Sequence, residues 1–451
     1  MLRYDVYAIG SGSTSPAIVQ RLARAGMRAG TAERHLLGGE CTNYGCVPSK
    51  ALLKAARIVA QARRASAYGI EIPEVRVDFP AVMGRVRDVI AGMLADGTAP
   101  FERAGVDVHF AEARIVGEHR IELDDGTQIE ADRIVLTTGT YPTAPPIEGL
   151  EEAGYWTNRE ALDLEALPAS LAILGTGPIG LELGQIFARF GVEVTLVELF
   201  DRILIAEDAD SAAALRPALE ADGIRILTGA KTTRVERDAG TTRLHVEDGR
   251  PPVEADRLLV ATGRAPDLAA HDLAAVGVDL DAAGLPVLTE TLRTTNPDVW
   301  VAGDATGRHL FVHVNAHEAN TVTRDVLGRP RPVDYRVAPR VTFTEPEVAS
   351  VGLTEDEAVR AGREVIVGTA SMADDERAVI EGETAGLVKV VADAETKEIL
   401  GGHVVGERAG ELIHEIVAAM AGRLHPRDVG SAIHAYPTTS QSVRAAFSRI
   451  R

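Results

Sequence analysis

The sequence predicts an α/β protein with two dinucleotide-binding βαβ folds in tandem, followed by a smaller α+β domain. Three observations predict it. A short apolar strand at residues 4–9 runs into Gly10-Ser11-Gly12-Ser13-Thr14-Ser15, and a helical pattern continues to Ala25. The same order recurs at Leu171-Ala172-Ile173-Leu174 and Gly175-Thr176-Gly177-Pro178-Ile179-Gly180, at an offset of 165 residues with no gap. Beyond Pro339 the pattern changes to strand-like runs with no glycine phosphate loop.

Each glycine turn has a physical reason. Gly10 and Gly175 permit a tight turn, and Gly12 and Gly177 let a phosphate approach the backbone at a helix N-terminus. Ser15 replaces the third glycine of the first copy, which predicts a helix slightly further from its strand. Glu33 and Glu198 lie about twenty residues further on, where an acid can accept hydrogen bonds from a ribose. One such motif is weak evidence; two in register suggest two dinucleotides. Residues 131–139 resemble 255–263, and each reads as a strand that closes one fold. Asp124-Asp125-Gly126 and Asp248-Gly249 mark hairpin turns before them. Residues 50–105 read as mostly helical, broken at 73–80. Residues 296–304 read as a strand ending at Gly303-Asp304, whose acid binds a hydroxylated chain or caps the next segment. In the tail, strands at 386–391 and 399–405 flank a turn, and 411–420 is an amphipathic helix.

Bulk properties narrow the function. The 451 residues suffice for about three domains. Net charge is −19, from 47 basic and 66 acidic side chains, which argues against nucleic acid and anionic membrane as main partners. No apolar run approaches the ~20 residues that span a bilayer, and the N-terminus lacks a signal-peptide layout, so a cytoplasmic protein is expected.

The chemistry centres on the only two cysteines, in Cys41-Thr42-Asn43-Tyr44-Gly45-Cys46. Two thiols cannot build an ordinary four-ligand zinc site, and no metal site is expected. Two thiols this close can form a disulfide on a short loop. Pro48 is placed as the first residue of a helix over Ser49 to roughly Gln61. Cys46 then faces that helix's N-terminus, where the dipole favours a thiolate. The pair reads as a redox pair; the alternative is two unrelated core cysteines.

These residues resemble the FAD-dependent pyridine nucleotide–disulfide oxidoreductases, which include dihydrolipoamide dehydrogenase, glutathione reductase and mercuric reductase. The resemblance covers nearly the whole chain. It rests on Gly38-Gly39-Glu40-Cys41 and Cys46-Val47-Pro48-Ser49-Lys50, the two glycine motifs, Ala261-Thr262-Gly263-Arg264 and Ala302-Gly303-Asp304. It implies Rossmann-like FAD and NAD domains plus a C-terminal α+β dimerisation domain. The boundaries would be 1–145 and 266–335 for FAD, 146–265 for NAD(P) and 336–451 for dimerisation.

The resemblance also implies roles. Gly10, Gly12 and Glu33 hold the adenosine diphosphate half of FAD, and Asp304 its ribityl chain. Ser13, Ser15, Gly39, Thr42, Lys50, Ala113, Thr138, Gly139 and His313 complete the FAD set. Gly175, Gly177, Pro178, Ile179, Gly180, Glu198, Gly263 and Arg264 serve the nicotinamide cofactor. Cys46 lies against the flavin, Cys41 attacks the outside substrate, and Lys50 sits by the flavin paired with Glu182. Glu198 hydrogen-bonds the 2′-hydroxyl of NAD and repels the 2′-phosphate of NADP, so NADH is expected in preference to NADPH. Only Arg202 nearby could welcome that phosphate.

One segment departs from the family. Its C-terminal motif is His-Pro-Thr followed by Glu, in which the partner subunit's His is the acid–base for the thiols. Here the segment reads His434-Ala435-Tyr436-Pro437-Thr438-Thr439-Ser440-Gln441. Tyr436 stands in the histidine position and Gln441 in the glutamate position; His434 matches a different histidine. A phenol donates a hydrogen bond at neutral pH but is a poor base. Mercuric reductases also lack this histidine, but they use a C-terminal cysteine pair, and this chain ends Ser448-Arg449-Ile450-Arg451. The expectation is a homodimeric enzyme passing electrons from NADH through FAD to Cys41–Cys46 and on to a disulfide. A metal, quinone or other oxidant as acceptor is the alternative, and a redox sensor without steady turnover is the third reading.

Overall fold

The computed structural model describes residues 1–247 and 249–450. The chain forms two compact units of interleaved segments: 1–49, 84–143 and 263–335 in one, and 50–83, 144–262 and 336 onward in the other.

The first unit is built on a five-stranded parallel sheet. Its order is Val299–Val301, Ile134–Leu136, Val6–Ile9, Ala29–Glu33, Val106–Phe110. Val6–Ile9 is buried throughout, as expected of an inner parallel strand covered on both faces. Helix Ser15–Arg24 packs Ile18, Val19 and Leu22 into this core. The single strand expected at 4–9 is two strands. Leu2–Tyr4 pairs in a separate sheet with Gln128–Ala131, and Asp5 breaks the run because its carboxylate accepts the Arg28 N–H at 2.7 Å. Strands Arg120–Leu123 and Ala113–Gly117 complete that second sheet. Its turn at Asp124-Asp125-Gly126 is held by the Thr127 N–H on Asp125 at 2.8 Å.

The second unit opens with four parallel strands in the order Arg225–Leu227, Glu193–Val197, Ser170–Leu174, Arg257–Val260. A three-stranded antiparallel sheet, Thr232–Asp238, Thr241–Val246 and Val253–Ala255, sits beside them. Of the turn expected at Asp248-Gly249, Asp248 lies outside the described residues. The tail forms a five-stranded antiparallel sheet in the order Pro339–Thr342, Glu347–Gly352, Ile399–Gly406, Leu387–Asp393, Val365–Ser371. Helices Ala409–Ala421 and Ser440–Ser448 bury Ile413, Ile416, Val443 and Phe447 against it. No helix among the described residues is long and apolar enough to cross a membrane.

A charged cluster lies within this unit. Lys389 Nζ contacts Asp208 at 3.1 Å, Asp210 at 2.8 Å and Glu355 at 2.8 Å. Burial opposes its charge, but the three carboxylates win and its pKa is raised. Asp208 is also buried, so a Lys389→Met variant leaves its carboxylate uncompensated. We expect a loss of about 3–5 kcal/mol in urea unfolding; a loss below about 1 kcal/mol would show the cluster to be energetically idle.

Candidate functional site

The two glycine loops share one construction. Gly10 and Gly175 have φ of +94° and +97°. A Cβ on Gly10 would stand 2.5 Å from the Thr137 carbonyl oxygen, and one on Gly175 the same distance from that of Ala261. The carbonyl just past the closing strand therefore occupies the space a side chain would need. The acids are equivalent too. Glu33 accepts the Ser11 N–H at 2.8 Å and the His35 N–H at 2.9 Å. Glu198 accepts the Thr176 N–H at 2.9 Å and the Phe200 N–H at 3.0 Å, plus the Thr176 hydroxyl at 2.6 Å. Each acid thus fixes the shape of its own loop, a task that motif reading alone did not show. Ser15, at the missing third glycine, is fully buried with its hydroxyl 3.0 Å from that of Thr31. In the second copy Gly177 precedes helix Pro178–Arg189, with Pro178 at its start and Ile179 partly exposed. A Gly10→Ala variant should fail to retain nucleotide, because φ and the Thr137 carbonyl both oppose it; full nucleotide retention would contradict the steric account.

The cysteine segment is not a loop. Cys41 and Thr42 lie in a short helix, Gly39–Tyr44, and Gly45 separates it from helix Cys46–Arg64. The second helix therefore begins at Cys46, two residues before the expected first residue Pro48, which falls within its first turn. The N–H groups of that turn lack intrahelical carbonyl partners, so a proline there forfeits no helical hydrogen bond. Cys46 occupies the helix N-terminus itself and is exposed; Cys41 is half-buried. Gly39 abuts the first glycine loop: a Cβ there would stand 2.8 Å from the Gly12 Cα. Glu40, next to Cys41, pairs with Arg264 at 3.3 Å. Arg264 also donates to the Thr140 hydroxyl at 2.9 Å and carbonyl at 3.0 Å. It therefore braces the first unit's redox segment from the residue after Gly263.

Lys50, one helical turn beyond Cys46, begins a segment of the second unit. There its Nζ meets Glu182 at 2.6 Å and lies 4.5 Å from the centre of the Phe343 ring. The other oxygen of Glu182 accepts the Phe343 N–H at 2.9 Å. Further along the same helix, Gln185 grips both the N–H and the carbonyl of Glu345, at 2.8 and 2.9 Å. Arg189 bonds the Glu345 carboxylate. Glu182, Gln185 and Arg189 share one helix face at spacings of three and four. Gln185 and Glu345 were missed from sequence, since nothing local marks a pairing across 160 residues.

At the C-terminal motif the proton partner of the family is missing. Tyr436 is 70% exposed. Both ring nitrogens of His434 are engaged, Nε2 with Glu415 at 2.6 Å and Nδ1 with the Ala432 carbonyl at 3.0 Å. Both nitrogens thus face oxygen acceptors of their own chain. Gln441 donates its amide to the carbonyls of His434 and Ala435, at 3.0 and 3.2 Å. It braces the loop rather than a catalytic imidazole.

The first unit also fits FAD. Ser11 Oγ, Thr138 Oγ1 and Asn315 Oδ1 are buried without a hydrogen-bond partner among the described residues. They come from the glycine loop, the segment before Gly139, and the helix Val312–Val326. A polar ligand with many donors and acceptors would satisfy them. Asp304 lies in a single 3-10 turn, Gly303–Thr306, not at a helix cap. It accepts the Asn315 amide at 2.8 Å, and the same amide reaches Ser13 at 3.1 Å. Burial raises the Asp304 pKa against that bond. Ala113 is buried at the start of its strand, while His313 is exposed and stacks on Phe311.

The pattern described as "Pyridine nucleotide-disulphide oxidoreductase" matches residues 4–319, and the dimerisation domain of that family matches 338–447. The chain belongs to this family: it is a flavoprotein oxidoreductase with a disulfide redox centre, and its dimerisation domain is consistent with a homodimer. Among particular relatives, a mercuric reductase of Bacillus cereus is 36% identical over 447 residues, covering 98% of this chain and 71% of that one. A dihydrolipoyl dehydrogenase of Rhizobium etli is 34% identical over 469 residues, covering 98% and 97%. The solved structure of the HOCl-induced flavoprotein disulfide reductase RclA from Escherichia coli superposes with a TM-score of 0.89 at 28% identity, covering 99% and 100%. Its Cu(II) complex gives 0.90 at 27%. The family uses FAD and NAD(P).

Proposed function

We propose that this protein is an NADH-dependent reductase that delivers electrons through Cys41 and Cys46 to a thiophilic metal ion. The carrying observation is the occupied imidazole of His434 beside Tyr436. Reducing a disulfide to two thiols consumes two protons at sulfur and needs a positioned acid–base group. Reducing a metal ion consumes electrons only: NADH leaves as NAD⁺, one proton goes to solvent, and the two electrons go to one two-electron ion or, for a one-electron acceptor such as Cu(II), one to each of two ions. FAD, when bound, supplies the hydride acceptor between nicotinamide and thiols. The chain's residues do the rest. Gly10, Gly12 and Asp304 hold that cofactor, Cys46 faces it, Cys41 meets the ion, and Lys50–Glu182 fixes the charge beside the redox helix. The dimerisation domain of one copy completes the site of the other in this reading. The Cu(II) complex of RclA supports the acceptor class by likeness.

Glu198 and Arg202 support NADH. Arg202 spends its guanidinium on the carbonyls of Leu204, Ile205 and Glu207, at 3.1, 2.9 and 2.9 Å. It is not at hand for a 2′-phosphate, while the Glu198 carboxylate would repel one. We expect kcat/KM for NADH to exceed that for NADPH at least about tenfold; parity would refute this.

Disulfide reduction is the second reading, favoured by the near full-length match to the Rhizobium etli dihydrolipoyl dehydrogenase. Anaerobic NADH oxidation with chelated Cu(II), with a quinone and with lipoamide separates the two. Copper turnover that depends on Cys41 supports the metal reading, and faster lipoamide turnover overturns it.

A further inference from the structure

We propose that Glu318 is a positioning residue for the flavin site, one that clamps the Gly303–Asp304 turn when ionised and releases its hold on bound FAD when protonated. The inference rests on the assignment of Asp304 to FAD. Glu318 is fully buried on the helix Val312–Val326. One oxygen accepts the Gly303 N–H at 2.6 Å, and the other accepts the Tyr335 hydroxyl at 2.6 Å. Asn315, one turn earlier on the same face, holds Asp304 itself. This helix thus grips the turn twice, once through a neutral amide and once through a carboxyl that can change its charge. Tyr335 ends the last segment of this unit and lies against the His309 ring, with centroids 4.5 Å apart.

The carboxyl is poised to titrate. Burial pushes its pKa up to about 7, against the bonds from Tyr335 and Gly303. Of the charged groups around it, Arg308 favours the ionised form and Asp304, on the clamped turn, opposes it. The sign follows from the bonds. A carboxylate accepts from both donors and holds the Gly303 N–H strongly. A neutral carboxyl is a weaker acceptor, and its proton competes for the Tyr335 oxygen. The turn should therefore hold FAD more tightly as pH rises through 7, and more loosely below it.

A Glu318→Gln variant keeps both contacts, since its amide oxygen accepts from Gly303 and its amide nitrogen donates to Tyr335, but it cannot titrate. The experiment follows flavin fluorescence as FAD-loaded protein releases its cofactor on dilution, between about pH 5.5 and 8.5. Release from the parent should be about fivefold faster at the acid end, with an inflection near 7. Glu318→Gln should release at the fast rate throughout. Tyr335→Phe removes one bond to the ionised form, so its inflection should move to higher pH. A pH-independent parent overturns the proposal. An inflection that survives in Glu318→Gln also overturns it, because another group then titrates. Failure of the parent to retain FAD at any pH would overturn the Asp304 assignment, and the clamp with it.

Discussion

A Tyr436→His, Gln441→Glu double variant should gain lipoamide or glutathione-disulfide turnover by about 10²–10⁴-fold, the usual worth of a positioned acid–base group. The new imidazole would stand where the family keeps its histidine, with a carboxylate five residues on to orient it. The single Tyr436→His variant should gain less. Gln441 would still spend its amide on the carbonyls of His434 and Ala435 and would leave the ring unoriented. The double variant loses those two bonds, at a cost of about 1 kcal/mol each, and remains folded. Copper turnover should stay unchanged. Equal gains with copper and with disulfides would mean that the proton partner limits both, and would count against a relay-free acceptor.

Cys41→Ser should reduce turnover with copper by at least about 10³-fold, the scale on which removing a reactive nucleophile acts. A serine hydroxyl neither carries electrons nor binds a soft ion. NADH should still bleach the flavin of this variant, because the nicotinamide site does not include Cys41. Cys46→Ser should fail equally with copper and should also lose any long-wavelength thiolate-to-flavin absorption. Quinone turnover that survives both substitutions would mark a route that bypasses the thiols. Copper turnover that survives Cys41→Ser would place the metal exit elsewhere.

Much of this was legible in the chain itself. Gly10 and Gly175 announced two loops of one construction because the turn tolerates no Cβ. Two cysteines at a fixed spacing marked the segment to which the redox chemistry is assigned. The helix boundary at Cys46 was misplaced because a proline is tolerated throughout a first turn, so Pro48 marks the turn and not its first residue. The break at Asp5 depends on the backbone of Arg28, which lies 23 residues away. The supporting pairs were harder to read. Glu40 with Arg264, Gln185 with Glu345 and Glu318 with Tyr335 each join residues remote in sequence or unremarkable in type. Glu33 and Glu198 were legible as acids in the right place but not as the anchors of their own loops. The departure at Tyr436 was readable. Its consequence needed the structure, which shows where both nitrogens of His434 are spent.

The most direct test of the central claim is the ratio of NADH-linked turnover with chelated Cu(II) to that with lipoamide, measured anaerobically for the parent and for Cys41→Ser. The parent ratio should be at least about 10², the deficit that a missing acid–base group imposes on disulfide exchange, and the Cys41→Ser protein should be inactive with both. Lipoamide turnover equal to or above copper turnover in the parent would contradict that claim.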